Sequence, residues 1–249
     1  MIFDCFLYID ERELLELHLA TVGPFVDRFV ICESNTTFRG EPRESAFPAL
    51  ADLPYAEKVH CVSCDMQGMD LGAWDREAMQ RNAAGPFLGE HARDDDWILV
   101  GDVDEIPSPE FLRNPREGVL EMRITQGWMN WFATYRVRST VSIQRKHMQY
   151  ASYTRDLRTV LDAIPDSGWH LTYTGGVEAI QQKLRSFSHT EYSVPPYTDR
   201  EYIEARMNAG VGFFNAPEPR TFFPAPIEEL PPYVAEHRER FEHLLRECR

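Results

Sequence analysis

The sequence predicts an α/β fold in which a mostly parallel sheet is flanked by helices and followed by a less regular C-terminal half. Short apolar runs alternate with segments of helical periodicity in the first part of the chain, which indicates parallel strand pairing. The chain has 249 residues, of which 43% are hydrophobic, so it can bury a large core. One apolar run, Trp97 to Val100, ends in a cluster of carboxylates at 102–105, and ligands of open α/β sheets bind beyond the carboxyl ends of strands.

The N-terminal half shows the clearest alternation of strand and helix patterns. Predicted strands cover residues 2–7, 29–32, 59–62 and 97–100. Between the first two, Leu15, Leu19 and Val22 recur at helical spacing, with Asp10 as the expected N-cap and Gly23-Pro24 as the stop. This arrangement predicts a doubly wound, Rossmann-like half.

A second helix is predicted from about Gly72 to the Gly85-Pro86 dipeptide. Trp74, Ala78 and Arg81 share one face of that helix, so an arginine is expected on its inner side. A guanidinium there needs an anion. The sequence leaves open whether this anion is a bound ligand or a nearby carboxylate.

The C-terminal half is less regular. Predicted strands cover residues 127–135 and 168–173, a helix follows Gly175-Gly176, and the capping box Thr198-Asp199-Arg200-Glu201 opens a further helix. Residues 214–232 are proline-rich and predict a surface strap before a final amphipathic helix from about Tyr233. The residues expected to face inwards from these helices are Val177, Ile180, Leu184, Phe187, Val234, Phe241, Leu244 and Leu245.

The acidic string Asp102-Val103-Asp104-Glu105-Ile106-Pro107 is the strongest chemical signal in the chain. Asp102 and Asp104 follow a predicted buried strand at spacing i, i+2, and Pro107 stops the strand from continuing. Carboxylate oxygens suit a hard divalent cation, which can bridge to the phosphates of a ligand. An acidic turn that caps the next helix accounts for the same pattern, so both interpretations stay open here.

Composition narrows the choice of partners and compartment. The formal net charge is −14, which argues against nucleic acid or an anionic membrane surface as a partner. No apolar run approaches the about 20 residues that cross a bilayer, so no transmembrane segment is predicted. The five cysteines are an odd number, and Met1 to Phe6 lack a basic stretch. We therefore expect a reduced, cytoplasmic protein.

Several strings along the chain carry a family resemblance. They are Asp4-Cys5-Phe6, Glu13-Leu14-Leu15-Glu16, Val26 to Asn35, Gly40-Glu41-Pro42, the acidic string at 102–107, Gly168-Trp169-His170 with Glu178, and Arg240 to Leu245. In this order the strings resemble glycosyltransferase family 17. The resemblance implies a GT-A-like fold, a nucleotide-sugar donor that we expect to be UDP-N-acetylglucosamine, inversion at the anomeric carbon, and a glycan or lipid-linked sugar as acceptor.

The expected domain organisation follows from this resemblance. We expect a single GT-A-like domain over residues 1–249. Its nucleotide-binding half covers about 1–107, its acceptor and catalytic half covers about 108–213, and the proline-rich strap with the C-terminal helix covers 214–249. Which glycan accepts the sugar is left open by the sequence.

A metal site is expected at the acidic string. Asp104 is the preferred direct ligand of Mn²⁺ (or Mg²⁺), whereas Asp102 binds the ion directly or through water, or instead contacts the ribose. His170, at the end of a later strand, is the preferred third ligand and favours Mn²⁺. His189 is the alternative.

The donor is expected to contact the ends of several predicted elements. Glu33, Ser34 and Asn35 end the second strand, where a uridine would lie across a Rossmann-like sheet. Arg81 is expected to bind either the donor diphosphate or an Asp-x-Asp carboxylate.

Glu178 is the preferred catalytic base. An inverting transfer needs one group to take the proton of the acceptor hydroxyl on the side opposite the diphosphate. Glu178 follows the Gly-Trp-His block, although an acid in the first turn of a helix is also favoured by the helix dipole. Asp156 and Glu191 are the alternatives.

Three aromatic residues, Trp128, Trp131 and Tyr135, are candidates for stacking on sugar rings or for the core. Two other protein classes also fit parts of the pattern: an Asp-x-Asp metal-dependent phosphohydrolase and a non-catalytic sugar- or nucleotide-binding module. Donor hydrolysis measured with and without Mn²⁺ distinguishes these classes from a transferase.

Overall fold

The computed structural model describes residues 1–45, 47–215 and 220–246, and within them the strands join into one ten-stranded sheet. The strands are β1 (Ile2–Leu7), β2 (Arg28–Ser34), β3 (Val59–Cys64), β4 (Trp97–Asp102), β5 (Glu105–Pro107), β6 (Gly118–Gln126), β7 (Trp128–Gln144), β8 (Ala163–Ile164), β9 (Gly168–Thr172) and β10 (Phe222–Pro224). The helices are α1 (Arg12–Val22), α2 (Ala73–Asn82), α3 (Gly85–His91), α4 (Pro109–Leu112), α5 (Ala151–Asp156), α6 (Gly176–Ser186), α7 (Arg200–Ala209), α8 (Pro232–Glu236) and α9 (Arg238–Phe241).

The order of the strands is β3-β2-β1-β4-β7-β6-β9-β5, with β8 beside β6 and β10 beside β7. The four strands from β3 to β4 pair in parallel, whereas β7 pairs antiparallel with β4 and β6. Strand β9 pairs in parallel with β6 and antiparallel with β5. The predicted GT-A-like α/β class is confirmed, and each antiparallel pair of the described sheet includes a strand of the less regular C-terminal half.

Both faces of β1, β2 and β4 are buried, as expected for strands covered by helices on two sides, whereas the edge strand β3 is largely exposed. Successive residues of β1 pack into opposite cores: Phe6 joins the cluster that contains Leu15 of α1, whereas Phe3 and Cys5 join the cluster that contains Leu88 of α3. The sheet therefore forms the middle layer, and the carboxyl ends of β1 and β4 are free to face a ligand.

Several predicted helix boundaries differ from those in the structure. Glu11, not Asp10, is the N-cap of α1, and neither it nor Asp199 before α7 makes a side-chain capping hydrogen bond. Pro86 does stop α2, but it lies in the first turn of α3, where a missing N–H costs nothing. The three predicted strands at the N-terminus and the one before the acidic string are confirmed.

The predicted C-terminal helix is divided into two short helices. His237 separates α8 from α9 with a backbone conformation outside the helical region. The inward residues Val234, Phe241 and Leu244 are buried as predicted. Part of the predicted strap, residues 216–219, and the end of the chain at 247–249 lie outside the described residues. In the described ranges, the helices lack the length and apolar character that a membrane span requires.

Candidate functional site

An open cleft lies at the carboxyl ends of β1 and β4, where Leu7 is the parallel partner of Asp102. Strands β2 and β3 extend the sheet on one side of β1 and β4 on the other, which is the topological position where α/β proteins bind ligands. The cleft has a volume of about 1010 Å³ when the open solvent at its mouth is included. Its charged and imidazole side chains are Glu11, Glu77, Asp102, Asp104, Glu105, Arg138, Arg155, Arg158, His170, Lys183 and His189.

Asp102 ends β4 between two arginines. Its Oδ1 accepts a hydrogen bond from Arg81 Nη2 and its Oδ2 from Arg155 Nη2, both at 2.8 Å. Burial alone would raise the pKa of Asp102, but the Arg155 and Arg81 guanidinium groups hold that pKa well below its usual range. The sequence left open whether Arg81 binds the donor diphosphate or an Asp-x-Asp carboxylate. In the structure it binds the carboxylate of Asp102. Arg81 also donates to the carbonyl of Gly101 at 2.7 Å.

Glu105 lines the cleft and is paired with Arg155. Its carboxylate is only 1% exposed and accepts two hydrogen bonds from Arg155, at 2.8 and 2.6 Å. The Thr140 hydroxyl adds a third at 3.0 Å. A buried carboxylate needs such a set of donors, because an unpaired charge in the interior is costly.

Asp104 lies beside a lysine and a histidine of the C-terminal half. Lys183 Nζ donates to its Oδ2 at 2.7 Å, and His170 Nε2 is 3.6 Å from its Oδ1. Burial would raise the pKa of Asp104, but Lys183 and His170 lower it. Burial would likewise lower the pKa of Lys183, whereas Asp104 and Glu11 raise it, so both groups of this pair are charged.

The pairing of β5 with β9 brings His170 to this place. Glu105 and His170 are direct partners in the antiparallel register, so a strand from the C-terminal half carries an imidazole to the acidic string. Gly168 begins β9 with a φ of +153°, and a Cβ there would lie 2.2 Å from the carbonyl oxygen of Ile106. Only glycine permits this close approach of the two strands.

Two of the three predicted metal ligands fit a shared ion. Asp104 Oδ1 and His170 Nε2 are 3.6 Å apart, which two donors at about 2.1 Å from one ion can be. Asp102 does not fit, because an arginine occupies each of its oxygens. In the part of the chain that the structure describes, no three His, Cys, Asp or Glu side chains gather for a metal, so a bound ion would need further ligands from the donor phosphates.

The predicted uridine residues at the end of β2 do not line the cleft. Glu33 is fully buried and accepts a hydrogen bond from Ser45. The hydroxyl of Ser34 donates to the carbonyl of Thr36, and Asn35 donates to Asp65 at 2.7 Å. These residues shape the loop after β2, so their role in donor binding stays a prediction that the geometry does not favour.

Glu178 is also separated from the acidic string. Its side chain is 76% exposed and pairs with Arg200, and it is not among the residues that line the cleft. Glu178 therefore does not line the cleft with Asp104, and its role as the base stays a prediction that the geometry does not favour. Of the two alternatives, Asp156 is exposed at the end of α5, outside the cleft lining. Glu191 contacts His189, which does line the cleft.

The predicted sugar-stacking aromatics pack elsewhere. Trp128 lies against the cluster of α6 and α7, and Trp131 and Tyr135 lie against a small cluster beside β10. Trp74, which helical periodicity assigned to the inner face with Arg81, is instead 53% exposed and lines the cleft.

Sequence reasoning missed four basic residues of the cleft: Arg138, Arg155, Arg158 and Lys183. Arg155 lies in a short helix without an apolar stripe, and nothing in its neighbourhood signals an ion pair. Lys183 adjoins the buried stripe of α6 next to Leu184. A lysine next to a buried helix stripe is the sequence signal that could have identified Lys183 as a partly buried cation.

Comparison with known proteins agrees with the resemblance noted in the sequence. The model of "Glycosyltransferase family 17" matches residues 1–248. Curated relatives named beta-1,4-mannosyl-glycoprotein 4-beta-N-acetylglucosaminyltransferase include the Homo sapiens protein, 25% identical over 94% of this chain and 53% of its own length. The Rattus norvegicus protein is 25% identical over 94% of this chain and 52% of its own, and the Mus musculus protein is 26% identical over the same shares.

The chain thus spans about half the length of the curated relatives it matches. The family match, in contrast, covers all but the last residue, and it includes the acidic string, His170 and Lys183. This chain belongs to glycosyltransferase family 17.

Proposed function

We propose that this protein transfers N-acetylglucosamine from UDP-N-acetylglucosamine to a hydroxyl of a glycan or lipid-linked sugar, with inversion at the anomeric carbon. The observation that carries the proposal is the cleft beyond β1 and β4, which combines the acidic string with a set of cations in a member of this family. The names of the relatives supply the sugar, and the acceptor class is the one expected from the family resemblance.

The cleft has the charge that a departing diphosphate requires. Glycosyl transfer leaves negative charge on the nucleoside diphosphate, and preformed cations stabilise it. Arg158 lines the cleft, and in the described ranges no carboxylate lies within ion-pair distance of its guanidinium. Arg138 donates N–H groups to the backbone carbonyls of Arg158 and Leu161, and among the described residues it likewise has no carboxylate within ion-pair distance. Both are suited to bind phosphate oxygens.

The proposal includes a divalent ion, Mn²⁺ or Mg²⁺, at Asp104 and His170. The imidazole ligand favours Mn²⁺, because Mg²⁺ prefers oxygen ligands alone. Such an ion supplies Lewis-acid stabilisation of the leaving diphosphate. Asp102 is not part of this ion site, because its two oxygens accept hydrogen bonds from Arg81 and Arg155.

The test is UDP binding by titration calorimetry with Mn²⁺ and with EDTA, followed by release of UDP from UDP-N-acetylglucosamine. We expect binding that depends on Mn²⁺ and that Asp104→Asn weakens at least about tenfold, because a ligand to the ion is lost. Asp166→Asn is the matched control, since Asp166 lies outside the cleft in an exposed pair with Arg136.

Each result has a separate meaning. Equally tight UDP binding in EDTA would overturn the metal part of the proposal. Binding of the donor without any hydrolysis or transfer would favour a non-catalytic binding module. Absence of UDP binding under both conditions would overturn the proposed donor.

A further inference from the structure

The segment that follows α6 is tied to the acidic string by hydrogen bonds. The Ser188 hydroxyl donates to Glu77. Glu77 in turn accepts from Arg81 at 3.1 Å, and Arg81 donates to Asp102. This chain of contacts holds the next residue, His189, at the mouth of the same cleft.

His189 forms a dyad with Glu191. Its Nδ1 is 2.8 Å from Glu191 Oε1, and its ring meets the Trp74 ring edge-on, with centroids 4.7 Å apart at 86°. Since a carboxylate can only accept, this hydrogen bond assigns the proton to Nδ1 and leaves the Nε2 lone pair available. The hydrogen bond from His189 is also the main reason that the pKa of Glu191 is lowered.

The carboxylates of the cleft are already engaged. Each of the five acidic residues in its described lining lies within 4.0 Å of a lysine or arginine nitrogen; they are Glu11, Glu77, Asp102, Asp104 and Glu105. Each of these carboxylates is thus already paired with a cationic side chain. His189, in contrast, is 49% exposed, so a sugar hydroxyl can reach its ring.

We propose that His189 is the catalytic base of the transfer and that Glu191 positions it; this rests on the proposed function. His189 Nε2 takes the proton of the acceptor hydroxyl while that oxygen forms a bond to the anomeric carbon. The bond between this carbon and the diphosphate oxygen breaks, and its electron pair leaves with UDP. The imidazolium beside Glu191 then returns its proton to water. A carboxylate on Nδ1 holds the tautomer that this step needs.

The experiment uses the full chain and follows hydrolysis of UDP-N-acetylglucosamine, in which water is the acceptor, as UDP released. We expect His189→Gln to lower kcat by about 10²-fold, the usual scale for a lost general base, with UDP affinity and thermal stability near those of the wild type. Glu191→Gln should lower kcat less, by about tenfold, with KM unchanged. Added imidazole should restore part of the activity of His189→Ala, which a purely structural role would not allow.

The control variant is His147→Gln. His147 also pairs with a glutamate through Nδ1, but that pair lies outside the cleft, so we expect unchanged hydrolysis. Near wild-type kcat in His189→Gln would overturn the proposal. So would a parallel loss of UDP affinity, which would make His189 a donor or metal ligand. A wild-type protein that neither binds UDP nor releases it from the sugar nucleotide would overturn the proposed function itself, and the base with it.

Discussion

Replacement of Arg155 by methionine tests whether the ion pairs beneath the cleft hold the site together. Arg155 donates to both oxygens of Glu105, to Asp102 and to the carbonyl of Ser139, all between 2.6 and 2.8 Å. Methionine keeps much of the side-chain volume but none of these hydrogen bonds. Glu105 would keep the Thr140 hydroxyl and lose its counter-charge while staying buried.

The expected magnitude follows from that uncompensated charge. Removing one partner of a buried ion pair costs about 3–5 kcal/mol. In a chain of this size each kcal/mol lowers Tm by about 2–4 °C, so Arg155→Met should lower Tm by roughly 10 °C. The free energy of unfolding is measured by urea denaturation followed by circular dichroism, with the m-value checked for two-state behaviour.

Two further variants make the measurement specific. Arg136→Met removes an exposed pair with Asp166 and should cost less than about 1 kcal/mol. Adding Glu105→Gln to Arg155→Met should recover at least about 1 kcal/mol, because a neutral amide needs no counter-charge. A loss below about 1 kcal/mol in Arg155→Met, or strict additivity in the double variant, would refute the reasoning.

Three other predictions concern the same region. Arg81→Lys should lower donor affinity or turnover at least about tenfold, because one ammonium cannot replace the two guanidinium hydrogen bonds to Gly101 and Asp102. Unchanged steady-state kinetics would leave Arg81 a structural role only. The pKa of Asp102 and of Asp104 is lowered from 3.8 in the folded state, so their stabilisation is present above that value and is lost as the pH falls below about 4; urea midpoints that stay constant between neutral pH and pH about 2.5 would contradict this. Gly168→Ala should lower the free energy of unfolding by about 1–3 kcal/mol, since the new Cβ meets a backbone carbonyl. The control Gly89→Ala, in α3, has open space around its Cβ and should raise that free energy by about 0.5–1 kcal/mol. Equal Tm shifts in the two variants would show that the close approach of the two strands does not affect stability.

The sequence alone determined the architecture of the parallel half and the position of the acidic string. Hydrophobic periodicity is a local property, since a strand buried on both faces reads as a short apolar run wherever its partners lie in the chain. The strand ending at Asp102 and the helix whose stripe includes Ile180 and Leu184 could therefore be predicted. The helix caps were predicted less well, because several residue types can occupy an N-cap and the choice depends on the path of the preceding loop.

Which side chains meet was decided by the tertiary structure. Lys183 and Asp104 are 79 residues apart, and Arg155 and Glu105 are 50 apart, so no local pattern links them. Glu178 and Lys183 lie on the same helix, but five residues at about 100° each place them roughly 140° apart around its axis. That rotation directs the lysine into the cleft and the glutamate towards Arg200. Only the packing of α6 in the tertiary structure, mainly against α7, selects which of the two faces the cleft.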